Sequence, residues 1–402
     1  MKFNSTLGEV ASVMPCSYGG EIGVNEIELP VVKVSNVRYD GEFHKEFEIR
    51  SFTKVEANKL TVETGDLLVV KSSGSKSNIL SGKTAICTEE HAGKLIASNF
   101  LMRLKIDQEQ AWPRYIWYVL NSTLSKTFVK TIAGTTTYPN LKWPLYTKHP
   151  LPLPPLQEQK RIAAILDKAD AVRLKRQQAI ELADQFLQSV FLDMFGDPVT
   201  NPKGWKKCSF GNLTELITYG LTVRPDYCDE GIPLISAREI RSGKIGSNDA
   251  PKISSTDYGM LSNKAKPQKD DILFSKTGSI GHSAIIEFDN PIAITQNVAR
   301  IVPNKSVCAP KFLFWLLRSN YFITLSRREA KGNAVKDLQL GIMKEFPVYM
   351  PPLAQQKKFG EIVSRQEKNT EGFEKSVESS DSLFNSLSQK AFKGELTKDE
   401  TA

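Results

Sequence analysis

With 402 residues at 40% hydrophobic content, the chain is long enough for more than one ordinary core, and 53 basic against 45 acidic residues leave it a net charge of +8. The longest unbroken apolar run, Phe312 to Leu317, falls far short of the roughly 20 residues needed to cross a bilayer. The opening Met1-Lys2-Phe3-Asn4-Ser5 lacks the apolar stretch of a signal peptide, so a soluble cytoplasmic protein is expected.

In chain order, residues 1–150 carry short β-branched or alternating runs: Pro30 to Val34, Asp66 to Val70, Thr84 to Cys87 and Leu101 to Leu104. Clusters of Gly, Ser, Asn and Asp separate them, as strands of a mixed domain require. One helical patch, Arg114 to Thr123, closes the stretch. Pro154 and Pro155 then suit the first turn of a helix, where a missing N–H costs nothing. Beyond them Ile162, Leu166, Ala169, Ile180, Ala183, Leu187, Val190 and Met194 recur at spacings of three and four, predicting a helix over 156–195 that Gly196 and Pro198 end.

The pattern then starts again. Pro233 to Ile235, Asp271 to Phe274, Ala284 to Ile286 and Val298 to Val302 read as strands, and Lys311 to Asn320 as a helical patch. A second long helix is predicted over 353–392, through Phe359, Ile362, Phe373, Val377, Leu383, Phe384, Leu387 and Ala391. The two halves share wording as well as texture. Pro154-Pro155-Leu156-Gln157-Glu158-Gln159-Lys160-Arg161 returns as Pro351-Pro352-Leu353-Ala354-Gln355-Gln356-Lys357-Lys358, an offset of 197 residues that also carries Leu141 to Leu338, Pro150 to Pro347 and Phe195 to Phe392. That period has the size of a domain plus a connecting element and is far too long for a solenoid.

Charge follows the same division. Residues 1–153 carry +3, 154–196 zero, 197–350 +6 and 351–402 −1, so a polyanion would be met by the long segments. Each helix has a seam too narrow for a globular core and diluted by polar residues at mid-length, Arg173 and Arg176 in the first, Gln366 and Asn369 in the second. The expectation is that the two helices pair antiparallel with each other, in preference to each packing on the domain before it. The fold class expected is α/β (α+β): two similar strand-rich mixed domains separated by two long antiparallel coiled-coil helices, with a pseudo-twofold internal repeat.

Catalytic patterns are missing from this reading. Gly82-Lys83-Thr84 resembles the end of a phosphate-binding loop, but Ser77 stands where the earlier glycine belongs and a strand-like run follows. The histidines His44, His91, His149 and His282 are isolated, and five scattered cysteines show no C-x-x-C spacing, which speaks against a disulfide framework and a zinc site. Recognition loops remain. Lys71, Ser72, Ser73 and Lys76 follow the strand-like Asp66 to Val70, and Lys276, Thr277 and Ser279 follow its counterpart. A second loop pair holds Thr135, Thr136 and Tyr138 in the first half and Asn333 and Lys336 in the second. Small residues, hydroxyls and a lysine can approach phosphates closely, so these residues are the candidate contacts to a phosphate-bearing partner.

On these phrases, together with Gly65-Asp66-Leu67-Leu68, Asp270-Asp271-Ile272-Leu273 and Phe195-Gly196-Asp197-Pro198, the whole chain resembles the specificity subunits of type I restriction–modification systems. Ala354-Gln355 departs from Gln157-Glu158 of the first copy. The resemblance implies target-recognition domains at 1–153 and 197–350, each reading one half of a bipartite DNA site. Spacer helices lie at 154–196 and, with the C-terminal tail, 351–402. It implies no catalysis by this chain, two methyltransferase modification subunits that carry S-adenosylmethionine, and restriction subunits that use ATP and Mg. Spacer and partner docking fall to Leu156, Gln159, Ile162, Ile165 and Leu166 and to Leu353, Gln356, Phe359 and Ile362. Two rivals stay open: a double adaptor whose domains bind proteins without reading DNA, and a self-contained DNA enzyme with an unrecognised site.

Overall fold

A computed structural model describes residues 5–38, 43–44, 46–72, 74–75, 78–132, 140–223, 225–241, 243–247, 250–333 and 335–396. The chain divides into two compact units: residues 1–176 with 376–402, and residues 177–375. Each unit therefore takes half of each long helix as well as one strand-rich domain, and the units divide inside the helices, away from the Pro-Pro marks.

In the first unit a four-stranded antiparallel sheet runs in the order Ala11–Met14, Leu101–Ile106, Leu67–Val70, Thr84–Ile86. Leu67 to Val70 are all fully buried. The two-residue period of a strand explains why the run is apolar throughout. Leu67 and Val69 join the core beneath the helices, whereas Leu68 and Val70 join a second core on the opposite face. A three-stranded sheet, Glu48–Phe52, Ile27–Val32 and Ile96–Ala97, stands beside it, with the last pair parallel.

The second unit repeats this plan. Thr214–Tyr219, Val298–Pro303, Ile272–Ser275 and Ser283–Ile285 form its antiparallel sheet, and Lys252–Ile253, Ile232–Ile235 and Ala293–Ile294 its three-stranded one, again with the last pair parallel. Ile272 and Phe274 face the core under the helices, and Leu273 faces the other.

The single helical patch expected in each half is in fact a pair of helices. Pro113–Asn121 is followed by Thr123–Ile132, and Pro310–Arg318 by Asn320–Glu329. Ser122 and Ser319 interrupt the run in extended conformation, and the Ser319 hydroxyl accepts from the Phe322 N–H to cap the next helix.

The long helices are Leu156–Phe195 and Leu353–Lys393. Gly196 and Gly394 follow them with φ of 79° and 77°, the left-handed position that glycine adopts without a Cβ clash. Within each unit the two helix segments run antiparallel. In the first unit Arg173 pairs with Asp170 at 2.6 Å and approaches Asp381 at 3.7 Å, while Arg176 bonds Ser376 and Ser380. These polar bonds account for the mid-helix dilution of the apolar stripe.

One expectation needs correction. The helices pack on the strand-rich domains as well as on each other. Ile162, Ala163 and Leu166 share a core with Tyr115, Ile116 and Val119 as well as with Ala391 and Phe392. Phe191, Phe195 and Phe359 close around Phe312 in the second unit. Phe373 and Leu383, counted in the buried stripe, are instead exposed.

One residue type fastens helix to domain in both units. Gln159 accepts from the Trp112 N–H at 2.8 Å and donates to the carbonyls of Gln110 at 3.0 Å and Pro154 at 2.8 Å. Gln356 accepts from the Ala309 N–H at 2.9 Å and donates to Val307 at 3.0 Å and Pro351 at 2.8 Å. Both side chains are fully buried, so losing the amide strands a buried N–H and two carbonyls. Gln356→Met is expected to destabilise the second unit by about 1–3 kcal/mol per stranded group at most, and to release the Ala309 amide to fast hydrogen exchange. Unchanged protection at Ala309 would refute the fastening.

Candidate nucleic-acid interface

The loops that the sequence points to lie at the ends of the central strands, and in the second unit the structure brings the two loop groups together. After Ile272–Ser275 the chain turns through Lys276, Thr277, Gly278 and Ser279. Here the Lys276 carbonyl accepts from the Leu338 N–H at 2.8 Å and the Gly278 N–H donates to the Lys336 carbonyl at 2.9 Å. Lys331 and Asp337 exchange backbone bonds across the base of the second loop. The first unit builds the same joint, with the Leu141 N–H donating to the Lys71 carbonyl at 2.8 Å and Ser72 bridged to Asn140. Ser73, Lys76, Thr135, Thr136 and Tyr138 lie outside the described residues.

Lys276 does not present a free cation. Its ammonium sits 2.5 Å from Asp337 Oδ1, to which the Thr277 hydroxyl also donates, and its side chain is only 12% exposed. Burial alone would raise the Asp337 carboxyl, but Lys276 and Thr277 outweigh it and hold the group below its ordinary value. The lysine charge is thus met by Asp337 inside the unit. Lys331, Asn333, Lys336 and Ser279 are exposed. Arg327 is exposed as well and donates to the Ile280 carbonyl at 3.1 Å, adding its charge to this end of the unit.

Two further segments join this face and carry no motif. Lys276 approaches the Tyr219 ring at 5.7 Å, and from there the chain passes Gly220, whose backbone lies so close to Ile294 that a Cβ would meet the carbonyl oxygen at 1.8 Å. Only glycine permits that approach. The second segment is the turn Thr295 to Val298, whose Asn297 carbonyl accepts from the Lys276 N–H at 3.0 Å. The polar run Thr295-Gln296-Asn297 between the strand-like Ile292-Ala293-Ile294 and Val298-Ala299 is the one sequence signal that could have marked it.

Beneath the face, each unit holds a buried ion pair. Arg103 Nε lies 2.6 Å from Asp66 Oδ2, and Arg300 Nε lies 2.6 Å from Asp271 Oδ2. Arg103 also donates to the Leu60 carbonyl and Arg300 to that of Asn263. Both pairs tie the centre of the antiparallel sheet to the segment entering it. Gly82-Lys83-Thr84 proves to be a turn into the strand Thr84–Ile86, with Gly82 at φ 89°.

The residues expected to dock partners are placed differently. Gln159, Ile162, Leu166, Gln356 and Phe359 are at most 1% exposed, so they hold each unit together and offer a partner no surface. Leu156, Ile165, Leu353 and Ile362 are half-buried. Among the described residues no group of three or more His, Cys, Asp or Glu is arranged to hold a metal, and no helix is long and apolar enough to cross a membrane.

The family described as type I restriction modification DNA specificity domain matches twice, over residues 21–183 and 202–379, so that each match covers one strand-rich domain. The chain belongs to this family of type I specificity subunits. Among its relatives, the type I restriction enzyme EcoKI specificity subunit of Escherichia coli strain K12 is 24% identical, over 95% of this chain and 86% of its own. The EcoBI specificity subunit of Escherichia coli is 27% identical over 73% of this chain and 68% of its own. A solved structure of the type I restriction–modification system S subunit from M. genitalium is 16% identical, covers 96% of this chain and 95% of its own, and superposes with a TM-score of 0.51. That likeness is one of fold. As a type I specificity subunit, the chain carries the two target-recognition domains that its internal repeat announces.

Proposed function

We propose that this specificity subunit reads a bipartite, asymmetric double-stranded DNA target, one half with each unit, and docks modification and restriction subunits that carry the chemistry. The observation that carries this reading is the recurrence of one backbone frame with different residues on it. Equivalent bonds fix the loops after Leu67–Val70 and after Ile272–Ser275, whereas the side chains they present differ. A shared frame with unlike side chains suits two readers of unlike half-sites, and base edges in the major groove distinguish such sequences. The basic balance of the strand-rich segments suits phosphate contact.

Catalysis is assigned to the partners, in keeping with the family. S-adenosylmethionine would be held by the modification subunits, ATP and Mg by the restriction subunits. For docking, the first long helix offers Leu182, 63% exposed, and Phe186, 50% exposed, one turn apart on the same face.

The test exchanges residues 200–350 for those of another specificity subunit, in the complex with its modification subunits, and maps the methylated sites in cellular DNA. The expected result is a target changed in one half and kept in the other. A target changed in both halves, or in neither, would overturn the reading.

A further inference from the structure

The turn that joins the parallel-paired strand to the central strand is built alike in both units. In the first unit it is Ser98-Asn99-Phe100-Leu101, closed by the Leu101 N–H donating to the Ser98 carbonyl at 2.9 Å. In the second it is Thr295-Gln296-Asn297-Val298, closed by the Val298 N–H and the Thr295 carbonyl at 3.1 Å. Ser98 and Thr295 each donate their N–H to the neighbouring strand, to Val32 and Ile235, at 3.0 Å in both cases. The lysine of the adjoining loop holds the tip from the other side, Lys71 N–H on the Phe100 carbonyl at 2.9 Å and Lys276 N–H on the Asn297 carbonyl at 3.0 Å. Gln296 is fixed once more by its own N–H on the Leu221 carbonyl at 2.8 Å.

The backbone of each tip is thus held by several bonds, while its side chains are left to solvent. Asn99 and Gln296 are exposed, and neither carboxamide has a hydrogen-bond partner among the described residues. Phe100 stands 57% exposed beside Asn99, a large apolar ring that the unit itself does not bury. A carboxamide on a rigid mount presents a donor and an acceptor side by side, which matches the N6 donor and N7 acceptor that adenine shows in the major groove. The exposed Lys331 and Lys336 lie on a loop bonded to the Lys276 turn that holds this mount, and Arg327 lies in the last turn of the helix before it, where phosphates flanking such a base would be met.

We propose that these two turns are base-reading elements, with Asn99 and Gln296 each hydrogen-bonding the major-groove edge of an adenine in its own half-site. The proposal rests on the reading of this chain as a DNA-recognition subunit and names the residues that do the reading. The frame is common, and the tip is what distinguishes the halves. Asn99 is one methylene shorter than Gln296 and is followed by Phe100, whose ring suits the methyl group of a thymine; Gln296 is followed by Asn297, which has no apolar surface to offer.

The test uses the full chain assembled with its modification subunits and a duplex library in which both half-sites are randomised. The wild-type complex is expected to select a bipartite motif. Gln296→Ala should lose discrimination for one adenine in one half by roughly 10–100-fold, with the other half unchanged and the salt dependence of binding unaltered. Asn99→Ala should do the same in the other half. Gln296→Glu, which only accepts, should shift preference at that position toward cytosine. The untouched half-site reports in each case that the subunit is folded. If the wild type selects a motif and the variants keep every base preference, or lose affinity for all sequences equally, this proposal is overturned while the function stands. If the wild type selects no motif, the function itself fails and the proposal with it.

Discussion

Replacement of Asp66 by alanine is expected to destabilise the first unit by about 3–5 kcal/mol, and replacement of Asp271 to do the same in the second. The side chains of Arg103 and Asp66 are 1% and 2% exposed, and those of Arg300 and Asp271 are 9% and 5% exposed. Removing the carboxylate leaves a guanidinium that has no water to turn to. The backbone donors that share the carboxylate, the N–H groups of Glu63 at 2.8 Å and of Gln268 at 2.7 Å, would be stranded with it. Removing both charges is a different matter, because an apolar pair of similar volume restores packing without a desolvation cost. Asp66→Leu combined with Arg103→Met should therefore recover most of the loss. Denaturant unfolding of the full chain, with hydrogen exchange to assign the change to one unit, reads both outcomes. A loss below about 1 kcal/mol for the single variant would show that the pair is not a stabilising element. Arg103 lies on the strand that begins directly after the turn of Asn99 and Phe100, so a loosened pair should also blur reading of one half-site.

Acid is expected to weaken the first unit more than the second, and His149 is the reason. Its ring is fully buried, packed edge-on to Phe128 at 4.8 Å and to Tyr146 at 5.9 Å, and its Nε2 has no partner among the described residues. Burial pushes the imidazole down to about 4 from the usual 6.5. The folded state thus favours neutral histidine, whereas the unfolded chain binds a proton near pH 6.5. Stability from this source is complete above about pH 6.5 and falls as pH drops toward 4, by a total of about 3 kcal/mol at 1.36 kcal/mol per unit. One repeat further on, Phe346 takes the same place and packs edge-on to Phe322 at a ring distance of 5.4 Å. His149→Phe borrows that solution and should remove about 3 kcal/mol of the acid loss from the first unit only. Hydrogen exchange between pH 7 and 4.5 would show it, and an equal acid response of variant and wild type would refute it.

The comparison of His149 with Phe346 also shows what the repeat preserves. Ser125, Tyr146 and His149 of the first unit answer to Phe322, Met343 and Phe346 of the second, so the frame recurs over cores of different chemistry. Strand runs such as Leu67–Val70 and Ile272–Ser275 were legible because apolar run length and flanking turn residues are local signals. The buried pairs were not. Asp66 precedes Arg103 by 37 residues and Asp271 precedes Arg300 by 29, so the constant offset breaks between them and conceals the equivalence. The pairing of Lys276 with Asp337, 61 residues apart, was equally out of reach, and it removes a cation that sequence alone counts as free.

The sequence by itself determined the duplication, the long helices and where they begin and end, three of the four central strands in each half, and the family. Each is written in short-range periodicity, in proline and glycine punctuation, or in a phrase said twice. Only the tertiary structure decided what those elements do with their faces. It turned Gln159 and Gln356 from docking candidates into buried fasteners, divided each long helix between two units, and set Asn99 and Gln296 on matching turns. The physical reason is that polar partners and exposed tips are chosen across long sequence separations, where no local period records which side chain will meet which.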